Sequence, residues 1–219
     1  GEKQICYMGL SIHPSFLSTA KTYINNKVLW NQTVVDSTKI RIEEEIKRIN
    51  IEKPISIYGY PSTIFEIALY SLKNSLPIKN SRLKMIIFSG ESHAPYVRDI
   101  VQKAFGIDPI DEYCTMEGFI AGTCEYQKLH LNEDVLIAEI LTENGEVLSY
   151  GKGELLVTQL FSFEFPFIRY KTGDIVEVTE ERCKCGRHLR TIKSIDGRKG
   201  SFILNGNTKL SETAINLAL

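Results

Sequence analysis

Residues 168–174 include the side chains of this chain that best suit a chemical role, above all Thr172, Gly173 and Asp174. A carboxylate directly after a glycine turn at a strand edge can accept two hydrogen bonds from the cis-diol of a ribose. Such charge-assisted bonds are short and strong. The same triplet in isolation is more often a β-turn with a solvated aspartate. Asp174 is therefore a candidate ribose ligand that needs support from other motifs.

Gly90 and Glu91 follow a predicted buried strand at residues 85–88. They could lie beside a flat ligand such as a nucleotide base. Glycine lets the backbone approach a ligand closely because it has no side chain. The other interpretation is an ordinary strand-to-helix turn with an acidic residue at the helix start, where the helix dipole favours negative charge. The sequence alone leaves both interpretations open.

Three further side chains could serve a nucleotide. Tyr113 and Glu117 lie at the end of a predicted parallel strand at residues 110–114. An aromatic ring there can stack on a base, and a carboxylate can hold Mg²⁺ near phosphates. Arg198 lies in a basic, glycine-rich turn at residues 196–200, where it could reach a nucleotide beside a hinge. A packed strand end and a polar hairpin turn are the plainer interpretations.

Cys183 and Cys185 resemble half of a structural metal knuckle, because they are separated by one residue and followed by a glycine. Structural Zn²⁺ needs four ligands, and Cys124 and His130 are the most plausible other two. His188 is an alternative ligand. The competing interpretation is a pair of half-exposed thiols in a turn, although such thiols would be prone to oxidation.

The composition is that of a soluble globular protein, with 219 residues, 43% apolar and 24% charged residues and a net charge of −1. There is no basic excess for nucleic acid, no apolar run long enough for a bilayer and no signal-peptide pattern. Five cysteines without framework spacing favour a reducing cytoplasm. His13 and His93 are expected to be packed or surface imidazoles without a metal or nucleophile partner.

Strands alternate with helices in the first half, which predicts a doubly wound, mostly parallel α/β sheet. In such sheets ligands bind beyond the carboxyl ends of the strands. The predicted strands are residues 4–10, 28–35, 54–59, 85–88 and 110–114, and the predicted helices are residues 15–25, 63–73, 94–105 and one capped at 36–38 that continues to 50.

After Gly118 short strands separated by turns predict an antiparallel β-subdomain. The chain should end in strand, turn, strand and a helix capped by Ser211. The predicted division is an α/β domain at 1–118, a β-subdomain with the Cys/His cluster at 119–195, and a hinge with the start of a truncated small domain at 196–219. The predicted strands of the subdomain are residues 120–126, 135–141, 146–148, 154–160, 167–170 and 175–178.

Taken in order, these motifs resemble the adenylate-forming ligase superfamily, and most of all its phenylacetate–CoA ligase and CapK-like branch. The resemblance extends from about residue 54 onward. The matching motifs are Gly59-Tyr60-Pro61-Ser62, Ser89-Gly90-Glu91, residues 113–117, Leu129-His130, residues 153–158, residues 166–170, Thr172-Gly173-Asp174, Cys183-x-Cys185-Gly186-Arg187 and Gly197-Arg198.

The resemblance implies the partial large domain of an enzyme that forms an acyl-adenylate from a small carboxylic acid and ATP and passes the acyl group to CoA or a related acceptor. It implies ATP or AMP, Mg²⁺ and CoA as ligands, and the Cys/His residues described above add a structural Zn²⁺ ion to this set. The implied roles are an adenine border for Gly90 and Glu91, adenine stacking for Tyr113, Mg²⁺ binding for Glu117, ribose binding for Asp174 and nucleotide contact for Arg198.

Several departures from the family pattern favour a second hypothesis. Met116 replaces a hydroxyl residue beside Glu117 and cannot donate a strong hydrogen bond to phosphate, while Gly200 replaces a charged hinge residue. The phosphate loop and the catalytic lysine of the family have no counterpart in these residues. The alternative is a non-catalytic, zinc-stabilised scaffold derived from the same fold. A missing half, as the initial Gly1 suggests, would expose an apolar face that favours a homodimer.

Overall fold

The computed structural model describes residues 2–8, 32–37, 40–115, 118–200, 202–205 and 208–211. Contacts along the backbone divide the chain into two compact units. The first unit comprises Gly1–Glu91 and Pro95–Pro109, and the second comprises Ser92–Ala94 and Ile110–Leu219. The three-domain division given above stays a prediction.

The first unit alternates strands and helices, as its sequence pattern predicts. Its strands lie in the order β2-β1-β3-β4, and all three neighbouring pairs are parallel. Parallel strands are covered on both faces and therefore consist of nearly continuous apolar runs. The elements are β1 (Gln4–Met8), β2 (Gln32–Asp36), α1 (Ile42–Glu52), β3 (Ser56–Gly59), α2 (Pro61–Lys73), β4 (Met85–Ser89) and α3 (Pro95–Phe105).

The start of α1 differs from the prediction. A cap at residues 36–38 was expected, but the helix begins at Ile42 with Arg41 at the N-cap and no side-chain capping bond. Glu43, Glu44 and Glu45 occupy the first turn. Carboxylates there stabilise a helix through its dipole, which compensates for the missing cap.

The second unit is antiparallel, so the predicted α/β sheet followed by an antiparallel β-subdomain is confirmed. Its main sheet has the order β5-β6-β7-β12-β11-β10-β8-β9, and β13 and β14 form a separate hairpin. The strands are β5 (Ile110–Thr115), β6 (Gly118–Thr123), β7 (Leu129–Leu131), β8 (Leu136–Leu141), β9 (Val147–Leu148), β10 (Gly151–Gln159), β11 (Tyr170–Thr179), β12 (Thr191–Arg198), β13 (Phe202–Asn205) and β14 (Thr208–Ser211).

Two strands of this unit differ from the sequence prediction. The strand expected at 167–170 is wrong, since residues 167–169 lie outside any strand. The strand expected at 175–178 is part of a longer strand, β11, which begins at Tyr170 and continues through Gly173 in a bulge. The three-residue strand β7 was not predicted, since it is too short to show an alternating pattern. The helices predicted at 15–25 and after Ser211 lie outside the described residues.

Each unit has its own apolar core. In the first, Ile5, Ile57 and Ile86 of the sheet are fully buried with Ile64 and Ile67 of α2. The core of the second unit consists of Ile120, Ala121, Leu131, Leu136, Ala138, Ile140, Leu155, Val157, Val176, Val178 and Ile192. Among the described helices, none is long and apolar enough to cross a membrane.

Gly153 allows β10 to pass close to β8, which gives a first testable prediction. A Cβ at Gly153 would lie 2.4 Å from the carbonyl oxygen of Leu141, a backbone atom that cannot move aside. We expect Gly153→Ala to lower the free energy of unfolding by about 2 kcal/mol, as overpacking does. Chemical denaturation of wild type and variant measures this difference in the free energy of unfolding.

The matched control is Gly122→Ala on β6. A Cβ there would meet the end of the Phe119 ring at 2.9 Å, and that ring is 44% exposed and can swing away. Gly122→Ala should therefore lower the free energy of unfolding only slightly. Equal losses for Gly122→Ala and Gly153→Ala would contradict the steric explanation.

Candidate functional site

Asp174 lies on a β-bulge in the middle of β11. The pairing of β11 with β10 passes from Ile175 directly to Lys171, while β10 advances past a single residue, Leu155. Residues 172–174 of β11 therefore lie opposite the single residue Leu155, which makes β11 the bulged strand. Bulges change the direction of a side chain locally and are frequent beside functional sites.

Thr172 and Gly173 build this bulge. The Thr172 hydroxyl donates to the carbonyl of Leu155 at 3.1 Å and accepts from the backbone N–H of Asp174 at 3.1 Å. Gly173 has a φ of +81°, a conformation that side chains other than glycine rarely adopt. The triplet was predicted as a turn at a strand edge, and it is a bulge within a strand.

The bulge directs the Asp174 carboxylate into the buried side of the sheet. Asp174 is only 7% exposed, on the same face as Val176 and Val178. Its Oδ2 accepts a 2.5 Å hydrogen bond from the Tyr113 hydroxyl, and its Oδ1 accepts one from Arg198 Nε at 3.3 Å. Tyr113 and Arg198, two of the residues predicted to bind the nucleotide, are thus hydrogen-bonded to the third, Asp174.

Tyr113 remains a donor at neutral pH. Burial and, after it, the hydrogen bond to Asp174 raise the pKa of Tyr113 well above its ordinary value of 10.0. The phenol therefore keeps its proton and can donate it to the Asp174 carboxylate oxygen.

The residues after Arg198 are fixed against the same bulge. The Lys199 backbone N–H donates to the carbonyl of Gly173 at 2.7 Å, and Lys199 Nζ lies 3.1 Å from the buried carboxylate of Glu154. The Arg198 side chain is 68% exposed. An exposed ion pair contributes little stability, so Arg198 is free to exchange partners at low cost.

Gly90 and Glu91 belong to the first unit, where they follow β4. Gly90 has a φ of +82°, and a Cβ there would lie 2.8 Å from the Tyr60 ring. The Glu91 carboxylate accepts a 3.2 Å hydrogen bond from the N–H of Ser62 in the first turn of α2. Ser62 was predicted to cap α2, but Tyr60 is the N-cap. Glu117, the expected Mg²⁺ ligand, lies outside the described residues.

The second unit also brings together the four predicted metal ligands, Cys124, His130, Cys183 and Cys185. Their ligand atoms all lie within 4.8 Å of one another, and the cluster does not include His188. Cys124 Sγ lies 3.6 Å from Cys183 Sγ, and Cys185 Sγ lies 3.3 Å from His130 Nε2. These separations are close to the edges, about 3.4 to 3.8 Å, of a zinc tetrahedron with Zn–S bonds of about 2.3 Å.

Local backbone structure positions these ligands. Cys124 closes the turn between β6 and β7, where its Sγ accepts from the N–H of Tyr126 at 3.4 Å. His130 lies on β7, and its Nδ1 is 3.0 Å from the carbonyl oxygen of Leu189. That contact suits a protonated Nδ1, which leaves the Nε2 lone pair for a metal, as in most histidine–metal sites. The donor set therefore fits a structural Zn²⁺ ion.

Sequence reasoning missed two pairings. Tyr113 and Asp174 are 61 residues apart and were assigned separate roles, yet they share a hydrogen bond. His93 was expected to be a packed or surface imidazole, and its Nε2 lies 2.7 Å from Asp111 Oδ1, a pairing that was not predicted. Neither pair has a sequence signal, because only the strand order brings the partners together.

No family model matches the chain. Sequence comparison does find similar curated proteins. It is 28% identical to protein CapK of Staphylococcus aureus over 100% of this chain and 48% of CapK. It is 26% identical to the phenylacetate–coenzyme A ligase of Thermus thermophilus over 85% of this chain and 44% of that enzyme. The chain thus spans about half the length of the curated relatives it matches.

Solved structures show the same fold. A 2-hydroxyisobutyryl-CoA ligase in the postadenylation state, in complex with R3-HIB-AMP, aligns with a TM-score of 0.78 at 20% identity, over 99% of this chain and 48% of that one. The amide bond synthetase McbA from Marinactinospora thermotolerans aligns with a TM-score of 0.63 at 17% identity, over 95% of this chain and 44% of that one.

The described fold is shared with part of the 2-hydroxyisobutyryl-CoA ligase and part of the amide bond synthetase. In sequence the chain is similar to protein CapK and to phenylacetate–CoA ligases, so the predicted resemblance is confirmed.

Proposed function

We propose that the full-length protein that contains this chain activates a carboxylic acid as its acyl-adenylate and then transfers the acyl group to CoA or a related acceptor. The observation that carries the proposal is the buried Asp174 carboxylate, held on its bulge between Tyr113 and Arg198. The sequence similarity to relatives named as phenylacetate–coenzyme A ligases supports it.

The reaction has two steps. In the first, a carboxylate oxygen attacks the α-phosphorus of ATP, the bond to the β-phosphate oxygen breaks, and acyl-AMP and pyrophosphate form. In the second, a thiolate attacks the acyl carbonyl, and AMP leaves with the bonding electrons. Both steps depend on positioning of the reacting groups and on stabilisation of the negative charge on the leaving group.

In this proposal the residues of the second unit hold the nucleoside. A carboxylate has about four acceptor positions, and Tyr113 and Arg198 each use one at Asp174. Positions remain for two ribose hydroxyls. The Tyr113 ring would stack on the base. Mg²⁺, expected at Glu117, would neutralise the charge of the phosphates when bound.

The test is acid-dependent ATP–pyrophosphate exchange by the full-length protein. The panel should contain phenylacetate and other aryl acids, 2-hydroxy acids and fatty acids of short and long chain. We expect exchange with at least one of them. Absence of exchange across the panel, together with absence of AMP binding, would instead support the non-catalytic scaffold that Met116 and Gly200 favour.

A second proposal concerns the Cys/His cluster. We propose that Cys124, His130, Cys183 and Cys185 hold a structural Zn²⁺ ion. The support is a set of three thiols and one imidazole whose ligand atoms lie within 4.8 Å of one another, with the imidazole Nδ1 3.0 Å from a backbone carbonyl oxygen. The ion would connect the turn after β6 with the loop before β12.

A further inference from the structure

Arg190 directly precedes β12 in the second unit and lies at the centre of a network of polar contacts. Its side chain is only 14% exposed. The guanidinium donates to Glu133 Oε1 at 2.8 Å, to the carbonyl oxygen of Ala138 at 2.7 Å and to the carbonyl oxygen of Ser149. It also lies over the Tyr150 ring, 5.5 Å from the ring centroid. The nearly buried charge is therefore well supplied with acceptors, as a buried ionised group requires.

The partner carboxylate, Glu133, holds the main chain of Arg190 as well as its side chain. Glu133 Oε1 accepts from the guanidinium, and Glu133 Oε2 accepts from the backbone N–H of Arg190 at 2.8 Å. Hydrogen bonds to an ionised group are short and strong, and two of them in parallel also fix the geometry. The carboxylate therefore fixes the peptide group that joins Leu189 to Arg190.

The same peptide group contacts the imidazole of the Cys/His cluster. Its carbonyl oxygen, which belongs to Leu189, lies 3.0 Å from His130 Nδ1. A peptide group is planar, so the direction of its N–H also sets the direction of its carbonyl. Thr191, the next residue but one, lies opposite His130 in the ladder between β12 and β7. Glu133 is thus connected to His130 through a single rigid group.

We propose that Glu133 and Arg190 are positioning residues for His130 as a metal ligand. The inference rests on the proposed Zn²⁺ site, and neither residue is one of its four ligands. Both act through the Leu189 carbonyl, which keeps the proton on His130 Nδ1 and leaves the Nε2 lone pair directed toward Cys185 Sγ, 3.3 Å away. Loss of a group that orients a metal-bound histidine lowers the metal affinity by about 10- to 100-fold.

The experiment measures the Kd for Zn²⁺ of the full-length protein by competition with a chromophoric chelator. Glu133→Gln keeps the size of the side chain but removes its charge, and we expect it to raise this Kd about tenfold. Arg190→Lys keeps the positive charge and the backbone N–H but loses the planar fork of donors. It should therefore raise the Kd by a smaller factor, about threefold.

A second measurement separates positioning from a general loss of stability. The His130 Nδ1–H proton of the zinc-saturated protein can be followed by NMR. In wild type we expect slow exchange of this proton with solvent, because the Leu189 carbonyl accepts it. In zinc-saturated Glu133→Gln the exchange should be faster, since the carbonyl is no longer held in place. A change of stability without a change at Leu189 would leave this signal unaltered.

The matched control is Glu139→Gln on β8. Glu139 also accepts two hydrogen bonds from one arginine, Arg169, and its side chain is 22% exposed compared with 25% for Glu133. It lies outside the four-ligand cluster, so Glu139→Gln should leave the Kd for Zn²⁺ unchanged. If Glu133→Gln does not fold, the same comparison of Arg190→Lys with Arg169→Lys decides.

Two results would overturn the positioning role while Zn²⁺ binding by wild type still supports the metal site. One is a Kd for Glu133→Gln within about twofold of that for Glu139→Gln. The other is an unchanged His130 Nδ1–H signal in Glu133→Gln. A wild-type protein that does not bind Zn²⁺ would remove both the metal site and the positioning role.

Discussion

Replacement of Asp174 by alanine is expected to weaken AMP binding to the full-length protein by at least about 100-fold. The carboxylate would lose two hydrogen bonds to the ribose hydroxyls, and bonds to a charged group contribute about 1.5–3 kcal/mol each. The change would also leave the Tyr113 hydroxyl without its 2.5 Å partner in a buried position. Isothermal titration with AMP measures the loss.

Three companion variants separate binding from folding. Asp174→Asn keeps the size of the side chain and should bind AMP about tenfold more weakly than wild type, since one acceptor oxygen remains. Tyr113→Phe keeps the ring for stacking and frees Oδ2, so AMP binding should stay within about threefold of wild type or improve. Glu177→Ala removes a half-buried carboxylate of the same strand that pairs with Lys193 on β12, and it should leave AMP binding unchanged. Unchanged AMP affinity in Asp174→Ala would contradict the ribose role.

The fold follows from the sequence wherever the periodicity of apolar residues is long enough to be read. The continuous apolar runs of β3 and β4 predict buried parallel strands, and both occur close to their expected positions. The bulge at residues 172–174 is different. A glycine at this position is typical of a turn, but the cross-strand bond from Thr172 to Leu155 and the pairing of Asp174 with Arg198 continue β11 through it.

The candidate site shows the same division between local and long-range information. The spacing of Cys183 and Cys185 is visible in the sequence because the two residues are neighbours along the chain. The partnership of Tyr113 with Asp174 depends on the positions of β5 and β11 within an antiparallel sheet. A ladder between distant segments leaves no periodic signal, so the residues could be proposed individually but not as a contacting pair.

Metal content and stability should fall together when a ligand of the Cys/His cluster is replaced. The freshly purified wild-type protein is expected to contain about one equivalent of zinc by mass spectrometry of the metal. Cys185→Ser should contain less than about half an equivalent. Its melting temperature should fall by about 10 °C, because the ion joins the turn at Cys124 to the loop at Cys183 and its loss costs several kcal/mol.

Cys114→Ser is the matched control for this prediction. Cys114 is half-buried on β5 and its thiol lies 2.6 Å from Glu112, outside the four-ligand cluster. The same substitution there should leave the zinc content at about one equivalent. Removal of the metal by a chelator should lower the melting temperature of wild type and of Cys114→Ser by the same amount, and added Zn²⁺ should restore both. Less than half an equivalent of zinc in the wild-type protein, or a full equivalent in Cys185→Ser, would contradict the site, because a tetrahedral ion that loses one of three thiolates loses much of its affinity.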